Sequence, residues 1–127
     1  IVELTESALL EENINAQHFL KELKRSGIRL ALDDFGTGYS NFHYLSELNP
    51  EIIKIDRSFT AKAIADEKEY YLLKQFCSMI HSLDVKICIE GVESKEEWER
   101  IRKLAPDYSQ GYLWGRPCSY DEFEKYL

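Results

Sequence analysis

The stretch LALDDFGTGYSN, residues 30–41, runs apolar for three positions, stops on two adjacent carboxylates and then turns at Gly36 and Gly38. Neighbouring like charges repel, and burying even one of them is costly unless a cation or hydrogen-bond donors compensate. A positive partner for Asp33 and Asp34 is therefore expected. The two glycines allow backbone conformations closed to other residues, so the loop can pass close to that partner.

Working outward, the same design of an apolar run with a polar end recurs along the chain. Strands are predicted over residues 1–5, 28–32, 52–55, 85–89 and 108–112. Helices fall between them. Ala16, Phe19, Leu20 and Leu23 lie at helical spacing, with Asn13 or Asn15 as N-cap and Gly27 as terminator. A short helix over 39–48 is stopped by Asn49-Pro50, and Leu73, Phe76, Ile80 and Leu83 mark a long one over 66–82. Ser94 with Glu97 opens a helix carrying Trp98, Ile101 and Leu104, and Ser119 with Glu122 opens the last; both pairs read as capping boxes. Alternating strands and helices, with strands of near-continuous apolar character, indicate parallel α/β architecture, either an open sheet or a barrel.

With 127 residues the chain suits one domain. Its 44% hydrophobic and 31% charged residues suit a soluble globular fold. No apolar run approaches the roughly 20 residues that span a bilayer, and no signal-peptide pattern opens the chain. A cytoplasmic location is expected, with membrane anchoring left to other domains of a parent protein. The net charge of −7 argues against DNA or RNA as partner, because tracking a phosphate backbone needs a basic stripe. Cys77, Cys88 and Cys118 match neither a disulfide framework nor a C-x-x-C zinc motif and read as reduced thiols. Because Ile1 sits within a predicted strand, the chain reads as an excerpt from a longer polypeptide.

The placement of the charges carries the functional signal. The strand ends hold Glu3 and Glu6, Asp33 and Asp34, Lys54 and Asp56, Glu90 and Glu93, and finally Gln110. In parallel α/β folds, sites form at the carboxyl ends of strands, so these residues should converge into carboxylates around one lysine. Divalent cations relieve the repulsion in such a cluster, and oxygen-only donors favour hard ions such as Mg²⁺ or Mn²⁺. Blander readings exist for some members. Asp56 and Arg57 could form a surface pair, and Glu93 could belong to the following helix start. Lys54, inside Ile-Ile-Lys-Ile, requires a partner. His18, His43 and His81 stand outside the pattern, and Tyr39, Tyr112 and Trp114 read as packing groups.

Five segments taken together, ELTES (3–7), LALDDFGTGYSN (30–41), PEIIKIDRSF (50–59), IEGVES (89–94) and QGYLWGRP (110–117), resemble the EAL domain, the cyclic di-GMP phosphodiesterase domain of bacterial signalling proteins. The resemblance implies a TIM-like (β/α)₈ barrel and metal-dependent hydrolysis of cyclic di-GMP to linear pGpG by a two-metal mechanism. It also implies roles. Glu3, Asp33, Asp34 and Glu90 would be metal ligands for Mg²⁺ or Mn²⁺. Glu90 would be the general base, working with Lys54, and Gln110 would order the attacking water or Glu90. Glu6 would anchor the DDFGTG loop. The family's Glu-Ala-Leu motif and a later asparagine ligand are absent from these residues, and a complete barrel takes roughly 250 residues. Residues 1–127 are thus expected to be a partial EAL domain, the C-terminal half of the barrel, with little or no hydrolysis in isolation. Such a half would self-associate or pair with the missing half, and a longer parent could carry GGDEF or sensor domains. The alternative function is a non-catalytic cyclic di-GMP receptor or protein-interaction module.

Overall fold

Strand and helix alternate as the apolar pattern dictates, and the strands assemble into one wholly parallel five-stranded sheet in chain order. The computed structural model describes residues 1–5, 14–36, 45 and 48–126. The strands are β1 (Val2–Thr5), β2 (Leu30–Phe35), β3 (Ile52–Ile55), β4 (Lys86–Glu90) and β5 (Tyr108–Gln110). Helix α1 (Ile14–Arg25) joins β1 to β2, and α2 (Arg57–Ala65) and α3 (Glu67–Ser82) join β3 to β4. After β4 comes α4 (Lys95–Ile101), continued by a 3₁₀ turn over Arg102–Leu104. After β5 comes α5 (Tyr120–Phe123), followed by a 3₁₀ turn over Glu124–Tyr126. The predicted helix over 39–48 and the N-cap position Asn13 lie largely outside the described residues; Leu45 and Leu48, which are described, are helical and buried.

Sequential strand order separates two architectures. A doubly wound sheet reverses its order at a switch point and takes helices on both faces. Here the order never reverses, and right-handed crossovers then place the helices that connect successive strands on the same face, as in the wall of a barrel. Burial follows that geometry. Ile53, Ile55, Ile87 and Ile89 are completely buried and pack with Leu73, Ile80 and Ile101 from the helices. The residues that alternate with them, Ile52, Lys54, Lys86, Cys88 and Glu90, face the other way, so β3 and β4 do not run uniformly apolar.

Helix α2 differs from the sequence reading, which assigned no element to residues 57–65. Its apolar signal is diluted by Ala61, Ala63 and Ala65 and by Thr60, which is fully buried, with its hydroxyl donating to the Asp56 carbonyl at 3.2 Å. The start of α2 is set by Asp56, whose carboxylate accepts from the Ser58 N–H at 2.8 Å. Asp66 ends α2 through its backbone and opens α3 through its side chain, which accepts from the Lys68 and Glu69 N–H groups at 2.8 and 3.1 Å. Arg100 of α4 ties these helices together. It donates to the Ala63 carbonyl at 3.1 Å, pairs with Glu67 at 2.8 Å and lies over the Tyr70 ring at 4.6 Å. Both capping boxes form as expected, at Ser94 with Glu97 and at Ser119 with Glu122.

Candidate functional site

Adjacent residues in a regular strand point to opposite faces, which would separate Asp33 from Asp34. The chain avoids this with a bulge. In the β2–β3 ladder Leu32 pairs with Ile53 and Phe35 with Ile55, so β2 spends one residue more than β3 over the same length. Asp34 takes the left-handed conformation at φ 56°, which a short polar side chain tolerates better than most. Its N–H donates to the Asp33 carboxylate at 3.1 Å. The outcome is that Asp33, Asp34 and Glu90 each present a carboxylate oxygen within 4.8 Å of the others.

Lys54 lies at the centre of the charge cluster. Its Nζ is 2.9 Å from Glu90 Oε1, 3.0 Å from Asp33 Oδ1 and 3.2 Å from Glu3 Oε2, and its side chain is only 12% exposed. Four strands therefore meet at one rim, carrying Glu3 from β1, Asp33 from β2, Lys54 from β3 and Glu90 from β4. Burial works to lower the Lys54 ammonium, but hydrogen bonds to Glu90, Asp33 and Glu3 outweigh it and hold the group well above the usual lysine range. Lys54 is thus a fixed cation and not a proton acceptor. Gln110 lies directly across from Glu90 in the β4–β5 ladder. Glu3 reaches the cluster through Lys54 and is not one of the three groups whose oxygens converge. Glu6 and Gly38 lie outside the described residues.

The donors suit a hard divalent cation. All are carboxylate oxygens, they converge from two strands, and their negative charge exceeds that of the one lysine among them. Cys88, the nearest sulfur on the strand, does not compete. Burial and the neighbouring Glu90 charge push its thiol up to about 11, so it stays protonated at neutral pH. Cys77 is buried in the core, and burial pushes its thiol up to about 12.

Beside Glu90 opens a cavity of about 190 Å³ lined by Arg57, Glu93, Gln110 and Tyr112. Sequence reasoning offered Asp56 as the partner of Arg57. Instead Asp56 caps α2, and Arg57 pairs with Glu93 at 2.6 Å across the cavity rim. Gly91, at φ 76°, makes that rim possible, because a Cβ there would meet the Arg57 Cβ at 2.7 Å. Gly36, at φ 99°, plays the same part below the Asp pair, where a Cβ would meet the Phe59 ring at 2.5 Å. Trp114 packs edge-to-face on Trp98 at 5.3 Å and donates to Ser109 Oγ at 3.0 Å, in keeping with a packing role. A larger cavity of about 340 Å³ opens near Arg29, Glu51 and Asp84, at the amino ends of the strands and away from the carboxylates.

Comparison with known proteins gives a consistent picture. A sequence profile of the EAL domain matches residues 1–117. The chain is 36% identical over 128 residues to the probable cyclic di-GMP phosphodiesterase PdeD of Escherichia coli K12, covering all of this chain and 24% of PdeD. Among solved structures, it resembles the PaMucR phosphodiesterase in complex with cyclic di-GMP, with a TM-score of 0.85, 32% identity, and coverage of 95% of this chain and 49% of that one. It also resembles Klebsiella pneumoniae BlrP1 in a manganese and cyclic di-GMP complex, with a TM-score of 0.78, 31% identity, and coverage of 91% and 30%. The chain spans about a quarter or less of the length of the curated relatives it matches. Among the described residues no helix is long and apolar enough to cross a membrane.

Proposed function

This chain belongs to the EAL domain family, and from that premise we propose that it forms part of a cyclic di-GMP phosphodiesterase in which the carboxylates around Lys54 are the hydrolytic centre. The observation that carries the reading is the convergence of Asp33, Asp34 and Glu90 to within 4.8 Å, with Lys54 held among them. Asp33, Asp34 and Glu90, joined by Glu3, would hold two divalent cations, Mg²⁺ or Mn²⁺. Such cations neutralise a phosphodiester and make water a stronger acid at neutral pH.

The chain's own residues supply the rest. Glu90 takes the proton from the attacking water as general base, placed for this at the end of β4 beside the open cavity. Lys54 remains an ammonium and steadies the attacking oxygen and the phosphate charge. Gln110, paired with Glu90 across the ladder, orders the water or the carboxylate. The 3′-oxygen of the nucleotide leaves in line, giving pGpG. The five strands supply a portion of the barrel wall, and sheet edges β1 and β5 are where the remainder, or a second copy, would pair.

Calorimetry with cyclic di-GMP in Ca²⁺, followed by product analysis in Mg²⁺ or Mn²⁺, tests this. The reading expects nucleotide binding that disappears in EDTA, and any pGpG formed to be lost in Glu90→Gln. Binding in Ca²⁺ with no pGpG in either active metal would point to a receptor. No binding under any condition would contradict the proposal.

A further inference from the structure

We propose that Lys54 is a built-in antagonist of cation binding, occupying the same carboxylate oxygens that the cations need and being displaced from them as the site loads. The inference rests on the metal-site reading above and deepens it. Two of the three groups that converge on one point, Asp33 and Glu90, are also the two nearest partners of the Lys54 ammonium, at 3.0 and 2.9 Å. An oxygen committed to an ammonium at that distance cannot also serve fully as a cation ligand, because hard cations demand short, well-directed oxygen contacts. Charge acts in the same direction. Even in a water-like medium, a single and a double positive charge a few ångströms apart repel by an amount worth about a tenfold change in a binding constant.

Glu3, the third partner of Lys54 at 3.2 Å, is also assigned to the cations in the reading above, so every carboxylate that holds the ammonium is shared with the cation site. Loading the site therefore moves Lys54 away from Asp33 and Glu90. The ammonium becomes available to an incoming phosphate only when the cations are in place. Substrate capture by lysine and cation loading are thereby coupled through shared oxygens.

The test compares the 127-residue chain with Lys54→Met and Lys54→Arg. Free Mn²⁺ is followed by electron paramagnetic resonance, and melting is measured in EDTA and in Mn²⁺. Lys54→Met should bind Mn²⁺ about tenfold more tightly than wild type and melt lower in EDTA, with Mn²⁺ closing the gap; Lys54→Arg should behave as wild type. Unchanged or weaker Mn²⁺ binding by folded Lys54→Met overturns the antagonist role while leaving the metal site standing. Failure of the wild-type chain to bind Mn²⁺ overturns both. A second readout needs no variant: the ¹⁵N side-chain ammonium signal of Lys54 in the wild-type chain should shift during titration with diamagnetic Mg²⁺. A signal unmoved at saturating Mg²⁺ overturns the displacement.

Discussion

In a regular strand Asp33 and Asp34 would face opposite sides of the sheet, and only one could serve the cluster. The bulge in β2 and the left-handed backbone at Asp34 bring both carboxylates to one side. A second single-residue device lies at the other end of the sheet. The Asp107 carboxylate accepts from the Ile87 N–H at 2.8 Å and from the His81 ring at 3.2 Å. Burial works to raise the Asp107 carboxyl, and these hydrogen bonds outweigh it and hold the group below its ordinary value. A depressed folded-state value contributes stability above the unfolded value of about 3.9, and that contribution is lost as pH falls through the folded value. Asp107→Ala should therefore cost about 1–2 kcal/mol at neutral pH, since it leaves the Ile87 N–H without its carboxylate partner. Denaturant unfolding at pH 7 and pH 3 should show the gap between variant and wild type narrowing in acid; a constant gap would show that the carboxylate's charge plays no part. The Asp pair and Lys54 could be read from the sequence because each breaks an apolar run. The bulge could not, since one extra residue in a ladder leaves no trace in the apolar pattern and is visible only against a partner strand.

Between β3 and β4 the chain builds two helices where the sequence pattern shows one. The long helix was legible from Leu73, Phe76 and Ile80, whose spacing marks a buried stripe. The shorter α2 was hidden by its alanines, and by the dual character of Asp56, which looks like a site carboxylate and acts as an N-cap. Asp66 joins the two, ending one helix with its backbone N–H on the Lys62 carbonyl and starting the next with its side chain. Asp66→Ala should lower stability by about 1 kcal/mol through loss of the cap, and Asp66→Asn should restore most of it. Thermal melts of the three proteins check this; equal melting of Asp66→Ala and wild type would show that packing by Leu73, Ile80 and Arg100 fixes the junction without the cap. The capping boxes at Ser94 and Ser119 were readable outright, because their signal is local and needs no tertiary partner.

For the molecule as a whole, chain-order parallel strands turn sequence position into spatial convergence. Asp33, Lys54 and Glu90 are scattered along the sequence, yet each stands toward the carboxyl end of its own strand, and the sheet gathers them at one rim, while Glu3, level with Ala31 lower in the sheet, reaches them through Lys54. That convergence was legible once the strands were placed, since every parallel strand delivers its end to the same rim. The rim contact between Arg57 and Glu93 was not, because it depends on how the α2 start packs against the loop after β4. The account stands on Asp33, Asp34 and Glu90 acting together as oxygen ligands. Mn²⁺ uptake by the wild-type chain, compared with an Asp33→Asn/Asp34→Asn double variant that remains folded by circular dichroism, tests this most directly. The account predicts saturable binding by wild type and its loss in the double variant; equal uptake by the two proteins, or none by wild type, would contradict it.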